Sequence, residues 1–562
     1  MNTMTGAQAI IQTLLQEGVT VIFGYPGGAI MPTYDALHDV QDRLQHVLVR
    51  HEQGAVHAAE GYARASGQVG VCIVTSGPGA TNLVTGLADA LLDSVPVLCI
   101  TGQVPSALLG TDAFQEVDII GITASVTKWN YQITRVDDIP TVLAKAFYIA
   151  TSNRPGPVLI DITKDAQWEQ SPFVYKKHAP PLLRLSDQQC DAMALQQAAT
   201  LINQAKKPYL LVGHGVLMAE AEQEIMQLAT KADIPVACTL LGLSAFPTSH
   251  RLYVGLLGMH GNYGSNRLTN EADLLIAVGM RFDDRVTGQL ASYAKQAKVI
   301  HLDIDPAEIN KNVQADVALL GDAKIILPSL IAAVHVNQHA DWLKEFVVFA
   351  EKEYAAVIAK ELAEDSASIK MAEVVQHLSK QTQGQAYLVT DVGQHQMVAA
   401  RYYAFQRVNS HITSGGLGTM GFALPAAIGV QKARPDDTVI AVMGDGGFQM
   451  TIQELAVLTQ ENLPIKMVIL NNSNLGMVRQ WQELFFEQRY SCTALKNPDF
   501  ITIAQGYGIQ GRRVYQRSQL ADAVRDMLHA KTAYLLEVVV ENQEMVFPMI
   551  PAGAGVSEIR LS

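Results

Sequence analysis

The sequence predicts an α/β protein of three domains, each an open, mostly parallel sheet flanked by helices. The chain has 562 residues, enough for three or four domains at roughly 150 residues each. Short continuous Val/Ile/Leu runs that end in glycine recur along it, which is typical of strands buried on both faces of a parallel sheet. Segments of helical character separate these runs, and such alternation indicates α/β layers.

The elements of this prediction follow from the apolar runs and from the segments between them. Strands are predicted within Val69–Gly79, Pro96–Gly102, Pro155–Ile162, Pro208–Gly215, Ala272–Met280, Lys298–Asp305, Ala386–Gly393, Thr438–Gly446 and Ile465–Asn472. Helices are predicted at Asp191–Gln204, Glu220–Ala232 and Ile452–Gln460.

Two segments without strand character divide the chain into blocks of similar size. Glu169–Ser186 is rich in proline and basic residues, and His335–Ser368 is charged and helical in character. The last residues contain Pro and Gly without a helical period and indicate an arm. We therefore predict domains at residues 1–170, 185–335 and 365–545, and a C-terminal arm at 546–562.

Composition and charge exclude several classes of protein. Hydrophobic residues make up 49% of the chain and charged residues 17%, which excludes a disordered protein. The net charge of -13 argues against a nucleic-acid binder. Five scattered cysteines without a CxxC pair indicate a reducing compartment. Because the sequence shows neither a signal-peptide pattern nor a bilayer-length apolar stretch, we expect a cytoplasmic enzyme without a membrane partner.

The strongest chemical signal is a Gly-Asp-Gly-Gly turn, Gly444–Gly447, that follows a buried strand. Glycines at a strand-to-helix turn let backbone N–H groups approach a phosphate, and the helix is predicted over Met450–Leu458. The next strand ends in Asn471-Asn472. A carboxylate and an amide oxygen suit Mg²⁺ together with phosphate oxygens. Gly-Asp-Gly alone would indicate only a turn, but the two motifs together predict a magnesium–phosphate site.

This pair of motifs resembles the metal–diphosphate motif of thiamine-diphosphate enzymes. Nearly the whole chain resembles one FAD-containing biosynthetic branch of them, the catalytic large subunits of acetohydroxyacid (acetolactate) synthases. The matching segments are collinear: Phe23–Ala29, Arg50–Gly67, Thr75–Asn82, Gly110–Glu116, Arg154–Ile162, Leu257–Gly261, Gly279–Gly288, Asp391–Met397, Ser414–Gly429 and Leu475–Gln482.

The resemblance implies a carboligase that acts on 2-ketoacids. Two pyruvate molecules would give 2-acetolactate and CO₂, and pyruvate with 2-ketobutyrate would give 2-aceto-2-hydroxybutyrate. These products feed the synthesis of valine, leucine and isoleucine. The implied cofactors are thiamine diphosphate, Mg²⁺ and FAD.

The resemblance also implies which residues hold thiamine diphosphate. Glu52 would exchange a proton with the aminopyrimidine ring, and positioned acid–base help of this kind contributes about 10²–10⁴-fold; Gln115 is the second implied catalytic residue. Met420 would hold the two rings of the cofactor in a bent conformation, with ordinary core packing as its alternative. The implied cofactor residues are Glu52, Gln394, His395, Gly418, Met420, Asp445, Gly446, Gly447, Asn472 and Asn474, and the implied metal ligands are Asp445, Asn472 and Asn474.

The sequence itself gives only a weak signal for the flavin in the middle block. Gly213-His214-Gly215 follows a strand, but Met218 leaves the dinucleotide fingerprint incomplete. An empty or structural middle domain is the alternative, and the Arg281–Arg285 segment argues against it because the cofactor-free catabolic branch lacks that motif. The resemblance implies FAD contacts from Arg154, Gly213, His214, Gly215, Thr239, Leu240, Leu257, Gly258, Met259, His260, Gly279, Arg281, Asp283, Asp303, Ile304, Asp322 and Ala323.

A further set of residues is implied around the substrate. Arg281 could meet the carboxylate of a 2-ketoacid, and Lys164 could do the same or be solvated. The implied set is Gly28, Ala29, Phe114, Lys164, Arg281, Met477, Val478 and Trp481.

Partners are also implied by the resemblance. We expect a homodimer or tetramer in which Glu52 of one chain faces the Gly-Asp-Gly motif of another, together with a small regulatory subunit. A pyruvate oxidase or a catabolic acetolactate synthase is the alternative among thiamine enzymes, and Arg281–Arg285 and Gln480-Trp481 argue against the catabolic form. A non-catalytic FAD-binding protein is the alternative of another class, which intact Glu52, Asp445 and Asn472 disfavour.

Overall fold

The computed structural model describes residues 3–178, 191–364 and 368–562. They form three six-stranded parallel sheets, each covered by helices, and one short antiparallel ribbon. The predicted three-domain α/β fold is confirmed. The predicted domain starts at 185 and 365 lie outside the described residues, as does the C-terminal part of the Glu169–Ser186 connection.

The first sheet is built from residues 21–163, and the ribbon (β1 with β8) ties the start of the chain to the end of this region. The strands are β1 (Thr3–Thr5), β2 (Val21–Tyr25), β3 (Gln45–Leu48), β4 (Gly70–Val74), β5 (Val97–Gln103), β6 (Trp129–Ile133), β7 (Val158–Thr163) and β8 (Gln170–Pro172). The helices are α1 (Gly6–Gln16), α2 (Met31–His38), α3 (Glu52–Ser66), α4 (Pro78–Thr81), α5 (Val84–Asp93), α6 (Ile119–Thr123), α7 (Ile139–Thr151) and α8 (Lys164–Trp168). The strand order is β3-β2-β4-β5-β7-β6.

The middle sheet has a different order, β11-β10-β9-β12-β13-β14. Counted along the chain this is 3-2-1-4-5-6, the order of dinucleotide-binding sheets, in which ligands bind where the order reverses. Its strands are β9 (Pro208–Val212), β10 (Val236–Cys238), β11 (Tyr253–Leu256), β12 (Leu274–Val278), β13 (Lys298–Asp303) and β14 (Val317–Leu320). Its helices are α9 (Ala192–Gln204), α10 (His214–Met218), α11 (Glu222–Ala232), α12 (Tyr263–Arg267), α13 (Asp284–Thr287) and α14 (Ala323–Ala333).

The third sheet follows a helical connection made of α15 (Ala340–Glu353), a π-helical turn at Tyr354–Ile358 and α16 (Ala359–Glu361). Its order, β16-β15-β17-β18-β20-β19, repeats the 2-1-3-4-6-5 order of the first sheet. The strands are β15 (Tyr387–Thr390), β16 (His411–Thr413), β17 (Val439–Gly444), β18 (Lys466–Asn471), β19 (Gln510–Val514) and β20 (Tyr534–Val539). The helices are α17 (Met371–Thr382), α18 (Gln394–Tyr402), α19 (Ala423–Ala433), α20 (Asp445–Met450), α21 (Leu455–Gln460), α22 (Gly476–Phe485), α23 (Phe500–Gly506) and α24 (Leu520–His529).

Helices α3 and α19 join the first and third domains through close backbone contact. A Cβ atom on Gly61 would lie 2.0 Å from the carbonyl oxygen of Ala426, and one on Gly429 would lie 1.8 Å from that of Ala58. Only glycine therefore allows this crossing. The contact merges the apolar faces of the two domains into one buried core and fixes how their sheets are oriented.

The helix after the Gly-Asp-Gly-Gly turn begins earlier than the sequence predicts. The prediction placed it at Met450–Leu458, whereas α20 already starts at Asp445 and a separate helix, α21, begins at Leu455. Gly444 has extended backbone before the first turn, and a carboxylate in a first turn is favoured by the helix dipole. The turn is thus itself helical.

The C-terminal arm folds back onto the middle domain. The backbone N–H of Ile550 donates to the carbonyl of Met259, and Arg267 donates to the carbonyl of Ser557. Val546, Met549 and Ile550 of the arm are buried. The backbone N–H of Val546 also donates to Gln480 of the third domain at 2.8 Å, so the arm contacts both the middle and the third domains. Among the described residues, no helix has the length and the apolar composition needed to cross a membrane.

Candidate active site

A cavity of about 930 Å³ lies where the three domains meet. A narrow extension of about 50 Å³ continues from it toward the end of the third sheet. The two spaces share Val392, Gly393, Met420, Met477 and Val478 as lining residues. They form one cleft, with a wide part over the middle sheet and a narrow part over the third.

The narrow part contains the predicted metal ligands at the ends of neighbouring strands. Asp445 follows β17 and Asn472 follows β18, and both are buried. Burial raises the pKa of Asp445 to about 6, so a divalent cation beside it would favour the ionised form. Asn474 lines the same space, and its backbone N–H donates to Oδ1 of Asn472 at 3.1 Å. Carboxylate and amide oxygens fit Mg²⁺.

His395 supplies a buried nitrogen that has no protein partner. Its ring lies against Gly393 and Gly444, where a Cβ atom on either glycine would come within 2.9 Å of the ring. Nε2 is buried and makes no hydrogen bond, and burial lowers the pKa of the ring to about 3. An anion beside this nitrogen would favour the protonated ring and accept its hydrogen bond. The site thus fits a phosphate group.

The start of helix α22 completes this half of the cleft. Gly476, Met477 and Val478 form its first turn and line the narrow part, and first-turn N–H groups have no partner within the helix. A Cβ atom on Gly476 would lie 2.1 Å from Oε1 of Gln394, so glycine is required for the close packing of Gln394. An unpaired helix start favours phosphate. The first turns of both α20 and α22 therefore line the narrow part, where a phosphate group would fit.

Gly418 and Met420 lie in the loop that follows β16. Gly418 has φ +75, a left-handed conformation that favours glycine. Met420 is partly buried and lines both parts of the cleft, so the structure does not support core packing as its sole role. Asp391 fixes the far end of the loop by accepting hydrogen bonds from the backbone N–H groups of Gly421 and Ala423.

The wide part of the cleft lies over the carboxyl ends of the middle strands. All residues predicted to contact FAD line it except Gly213. A Cβ atom on Gly213 would lie 2.1 Å from the carbonyl oxygen of Gly279, so packing of β9 against β12 requires this glycine. The partial fingerprint is thus explained by strand packing, and the cavity lies at the point where strand order reverses.

Several polar groups in the wide part are buried, and two of their atoms, Nδ1 of His260 and Oε2 of Glu308, have no hydrogen-bond partner among the described residues. Burial lowers the pKa of His260 to about 4. Burial raises the pKa of Asp303 to about 6 at the end of β13. Arg154 donates to Glu308 at 2.8 Å and to Asp305 at 3.2 Å. Acidic strand ends of this kind suit ribose hydroxyls, and the cavity volume lies within the range of cofactor sites.

Trp481 and Arg281 line the wide part of the cleft, as does the start of α22, whose Met477 and Val478 also line the narrow part. Trp481 is partly buried, lines the wide part and packs against Phe485 with ring centroids 5.4 Å apart. It is not a core tryptophan. Arg281 lines the same region and donates to the carbonyl of Leu92 at 3.0 Å and to Asp283 at 3.4 Å.

The thiamine and substrate residues predicted from the first domain, unlike the FAD residue Arg154, do not line this cleft in the single chain. Gly28, Ala29, Glu52, Phe114, Gln115 and Lys164 all lie beyond the carboxyl ends of strands in the first sheet. Glu52 accepts a hydrogen bond from Asn82 at 2.8 Å and Gln115 packs against Gly77. Phe114 is 88% exposed. These residues form a second group, separate from Asp445.

Three residues at or beside the cleft were not predicted as site residues. Asn497 donates to Asp445 at 2.6 Å and to Asn471 at 3.0 Å. Gln480 accepts from Gln394 at 3.0 Å, and Asp93 lines the wide part. Asn497 and Asp93 stand in segments without a motif. Gln480 alone of the three lies within a motif, the Leu475–Gln482 segment that also contains Trp481, and this motif could have pointed to it.

Three family models of thiamine pyrophosphate enzymes match the chain, one in each domain. Residues 4–122 match the family model "Thiamine pyrophosphate enzyme, N-terminal TPP binding domain". Residues 195–330 match the central domain and residues 391–538 the C-terminal TPP binding domain of the same enzymes.

Curated relatives match nearly the full length. The chain is 47% identical to the acetolactate synthase isozyme 2 large subunit of Escherichia coli, covering 99% of both chains. It is 46% identical to the acetolactate synthase large subunit of Corynebacterium glutamicum, covering 99% of this chain and 90% of that one. It is 43% identical to the probable acetolactate synthase large subunit of Methanocaldococcus jannaschii, covering 99% and 95%. The resemblance carried by the sequence motifs is confirmed, and the chain belongs to the acetolactate synthase large subunits, within the thiamine pyrophosphate enzymes.

Proposed function

We propose that the chain condenses two molecules of pyruvate into 2-acetolactate and CO₂, or pyruvate and 2-ketobutyrate into 2-aceto-2-hydroxybutyrate, for branched-chain amino-acid synthesis. The observation that carries this is the single cleft, in which a carboxylate–amide metal site and an unpartnered histidine adjoin a dinucleotide-type cavity. Acetolactate formation by the purified protein with thiamine diphosphate, Mg²⁺ and FAD tests it. Absence of product under these conditions would overturn it.

The residues of the narrow part fit thiamine diphosphate and Mg²⁺. Asp445, Asn472 and Asn474 would hold the metal, while Gln394, His395, Gly446, Gly447 and the start of α22 would face the diphosphate. Gly418 and Met420 would meet the rings. When bound, thiamine supplies an electron sink that allows a 2-ketoacid to lose CO₂. The protein binds and orients the cofactor, and Arg281 would orient the substrate carboxylate.

The active site is proposed to form between two chains. Glu52 and its neighbours carry the proton-exchanging carboxylate, but they are separate from Asp445 in one chain. Three large apolar side chains are exposed in the part of the first domain that contains Glu52. They are Phe114, Tyr25, which is 40% exposed, and Met31, which is 50% exposed. Exposed apolar side chains of this size at a functional edge are typical of an interface. Two copies arranged about a twofold axis would bring each first-domain group to the partner's cleft.

The flavin is expected to be bound without taking part in electron transfer. Condensation of two ketoacids involves no net redox change, so product should form without an electron acceptor. Apo protein should regain activity with FAD, and anaerobic addition of pyruvate should not bleach the flavin absorbance. A strict requirement for an acceptor such as a quinone would indicate the oxidase class instead.

Trp481→Leu is expected to reduce the preference for 2-ketobutyrate over pyruvate as the acceptor. The indole lines the wide part of the cleft one helical turn after Met477 and Val478, which line both parts, and offers a rigid apolar wall for the additional methyl group. One methylene in an apolar pocket is worth about 10–200-fold in discrimination, so the ratio should fall by a factor in this range. The measurement is the product ratio with both ketoacids competing.

The control for this variant is Trp168→Leu, because Trp168 is 59% exposed and lies outside the cleft. Pyruvate decarboxylation should persist in both variants, since that step does not need the wall. An unchanged product ratio in the Trp481 variant would contradict the assignment. The cytoplasmic location and the small regulatory subunit stay predictions.

A further inference from the structure

The end of helix α5 lies where all three domains meet. Its last residue, Asp93, is 1% exposed. Its carboxylate accepts hydrogen bonds from the backbone N–H groups of Gly415 at 2.9 Å and Gly416 at 2.7 Å. Both glycines belong to the loop Ser414–Gly421, which carries Gly418 and Met420. The first domain therefore holds a loop that lines both parts of the cleft, the wide part through residues 414–418 and Met420 and the narrow part through Met420.

Arg64 pairs with this carboxylate and aligns it. Its guanidinium donates to Asp93 at 2.7 Å and to the carbonyl of Thr413 at 2.8 Å. Both side chains of the pair are almost fully buried. A buried charge is tolerated only with such a partner, and loss of one partner is strongly unfavourable. Arg64 thus joins the end of α5 to the end of β16, where the loop begins.

The same helix end holds three side chains of the flavin cavity. The carbonyl of Leu92 accepts from Arg281 at 3.0 Å, and the carbonyl of Asp93 accepts from Nδ1 of His214 at 3.0 Å. The hydroxyl of Ser94 accepts from Arg154 at 2.8 Å. The three consecutive residues Leu92–Ser94 thus each accept from a different residue of the wide part. A helix C-terminus favours cationic donors such as the two arginines.

We propose that Leu92–Ser94 is a coupling element, through which occupation of the thiamine site tightens binding of FAD, and the reverse. Ligands that settle the loop against Asp93 would fix the helix end, and with it Arg154, His214 and Arg281. Linkage requires the coupling factor to be the same in both directions. Asp93 acts as a positioning residue. This inference rests on the proposed function, because it assigns the two cofactors to the two parts of the cleft.

The test measures the dissociation constant of FAD by equilibrium dialysis, with and without saturating thiamine diphosphate and Mg²⁺. In the unmodified protein, FAD should bind at least about 5-fold more tightly when thiamine diphosphate is present, the lower end of typical coupling. In Asp93→Asn the factor should fall below about 2-fold, because the amide nitrogen would oppose a backbone N–H and leave Arg64 without its charge partner. The readout is flavin binding, independent of activity.

Two further variants keep the test decisive. Gly416→Ala leaves the Arg64–Asp93 pair intact but would place a Cβ atom 2.7 Å from the Asp93 carboxylate, so it should also lower the coupling factor if Asp93→Asn fails to fold. Asp437→Asn is the matched control, because it alters another Arg–Asp pair, with Arg407 at 2.6 Å, whose residues do not line the cleft. It should keep the coupling of the unmodified protein.

The outcomes separate the inference from the proposed function. Equal FAD affinity with and without thiamine diphosphate in the unmodified protein, or full coupling in both Asp93→Asn and Gly416→Ala, would overturn the coupling role. If the unmodified protein bound no FAD at all, the flavin assignment itself would fall, and the inference with it. Loss of coupling in both variants but not in Asp437→Asn would support it.

Discussion

Glu52→Gln is expected to lower acetolactate formation by about 10²–10⁴-fold, the contribution of a positioned acid–base group. The amide can still accept the hydrogen bond from Asn82, which reaches the carboxylate at 2.8 Å in the unmodified protein. It cannot exchange a proton with the aminopyrimidine ring. Cofactor binding and folding should therefore persist. The direct measurement is hydrogen–deuterium exchange at the C2 position of bound thiamine diphosphate.

The control for Glu52→Gln is Glu169→Gln, the same change at an exposed position. That variant should exchange and turn over like the unmodified protein. If Glu52→Gln exchanged the C2 proton at the unmodified rate, the catalytic assignment of Glu52 would be wrong.

Asp445→Ala is expected to abolish the magnesium-dependent binding of thiamine diphosphate. Without the carboxylate, the diphosphate would meet amide and carbonyl oxygens alone, and these cannot neutralise the charge between metal and phosphate. Loss of the carboxylate also removes one hydrogen-bond partner of Asn497. Binding is measured by titrating thiamine diphosphate at several Mg²⁺ concentrations, independently of turnover.

Asp436→Ala is the matched control, because Asp436 is exposed in the turn before β17. Its titration should be unchanged. A normal magnesium-dependent titration in Asp445→Ala would show that Gly-Asp-Gly is only a turn here.

Mixing the Glu52→Gln and Asp445→Ala variants, each expected to be inactive alone, tests whether the active site forms between two chains. In a mixed dimer, one site would combine the intact Glu52 of one chain with the intact Asp445 of the other. Refolding or exchanging equal amounts should restore up to about a quarter of normal activity, since half of the dimers are mixed and each holds one intact site. No recovery despite proven mixed dimers would place both residues in a site within one chain.

The α/β class and the arrangement in three sheets could be predicted because buried parallel strands are continuously apolar. Residues 439–443 and 467–470, for example, are unbroken apolar runs and become most of β17 and β18. The starts of helices were predicted less accurately than the strands, as the start of α20 at Asp445 shows. The glycines of the Gly444–Gly447 turn resemble a loop locally, yet packing against Asp391 and His395 holds them in or beside a helical turn.

The sequence by itself determined the chemistry of the site, because Asp445, Asn472, His395 and Glu52 stand in motifs whose residue types point to a metal, a phosphate and proton exchange. Only the tertiary structure decided which of them share one space. Asp445, Asn472 and His395 meet because adjacent parallel strands end at the same edge of a sheet, whereas Glu52 belongs to another sheet and stays apart in the single chain. The role of Asp93 also depended on the structure, since its partners are up to 323 positions away along the chain and no local pattern records contacts made across three domains.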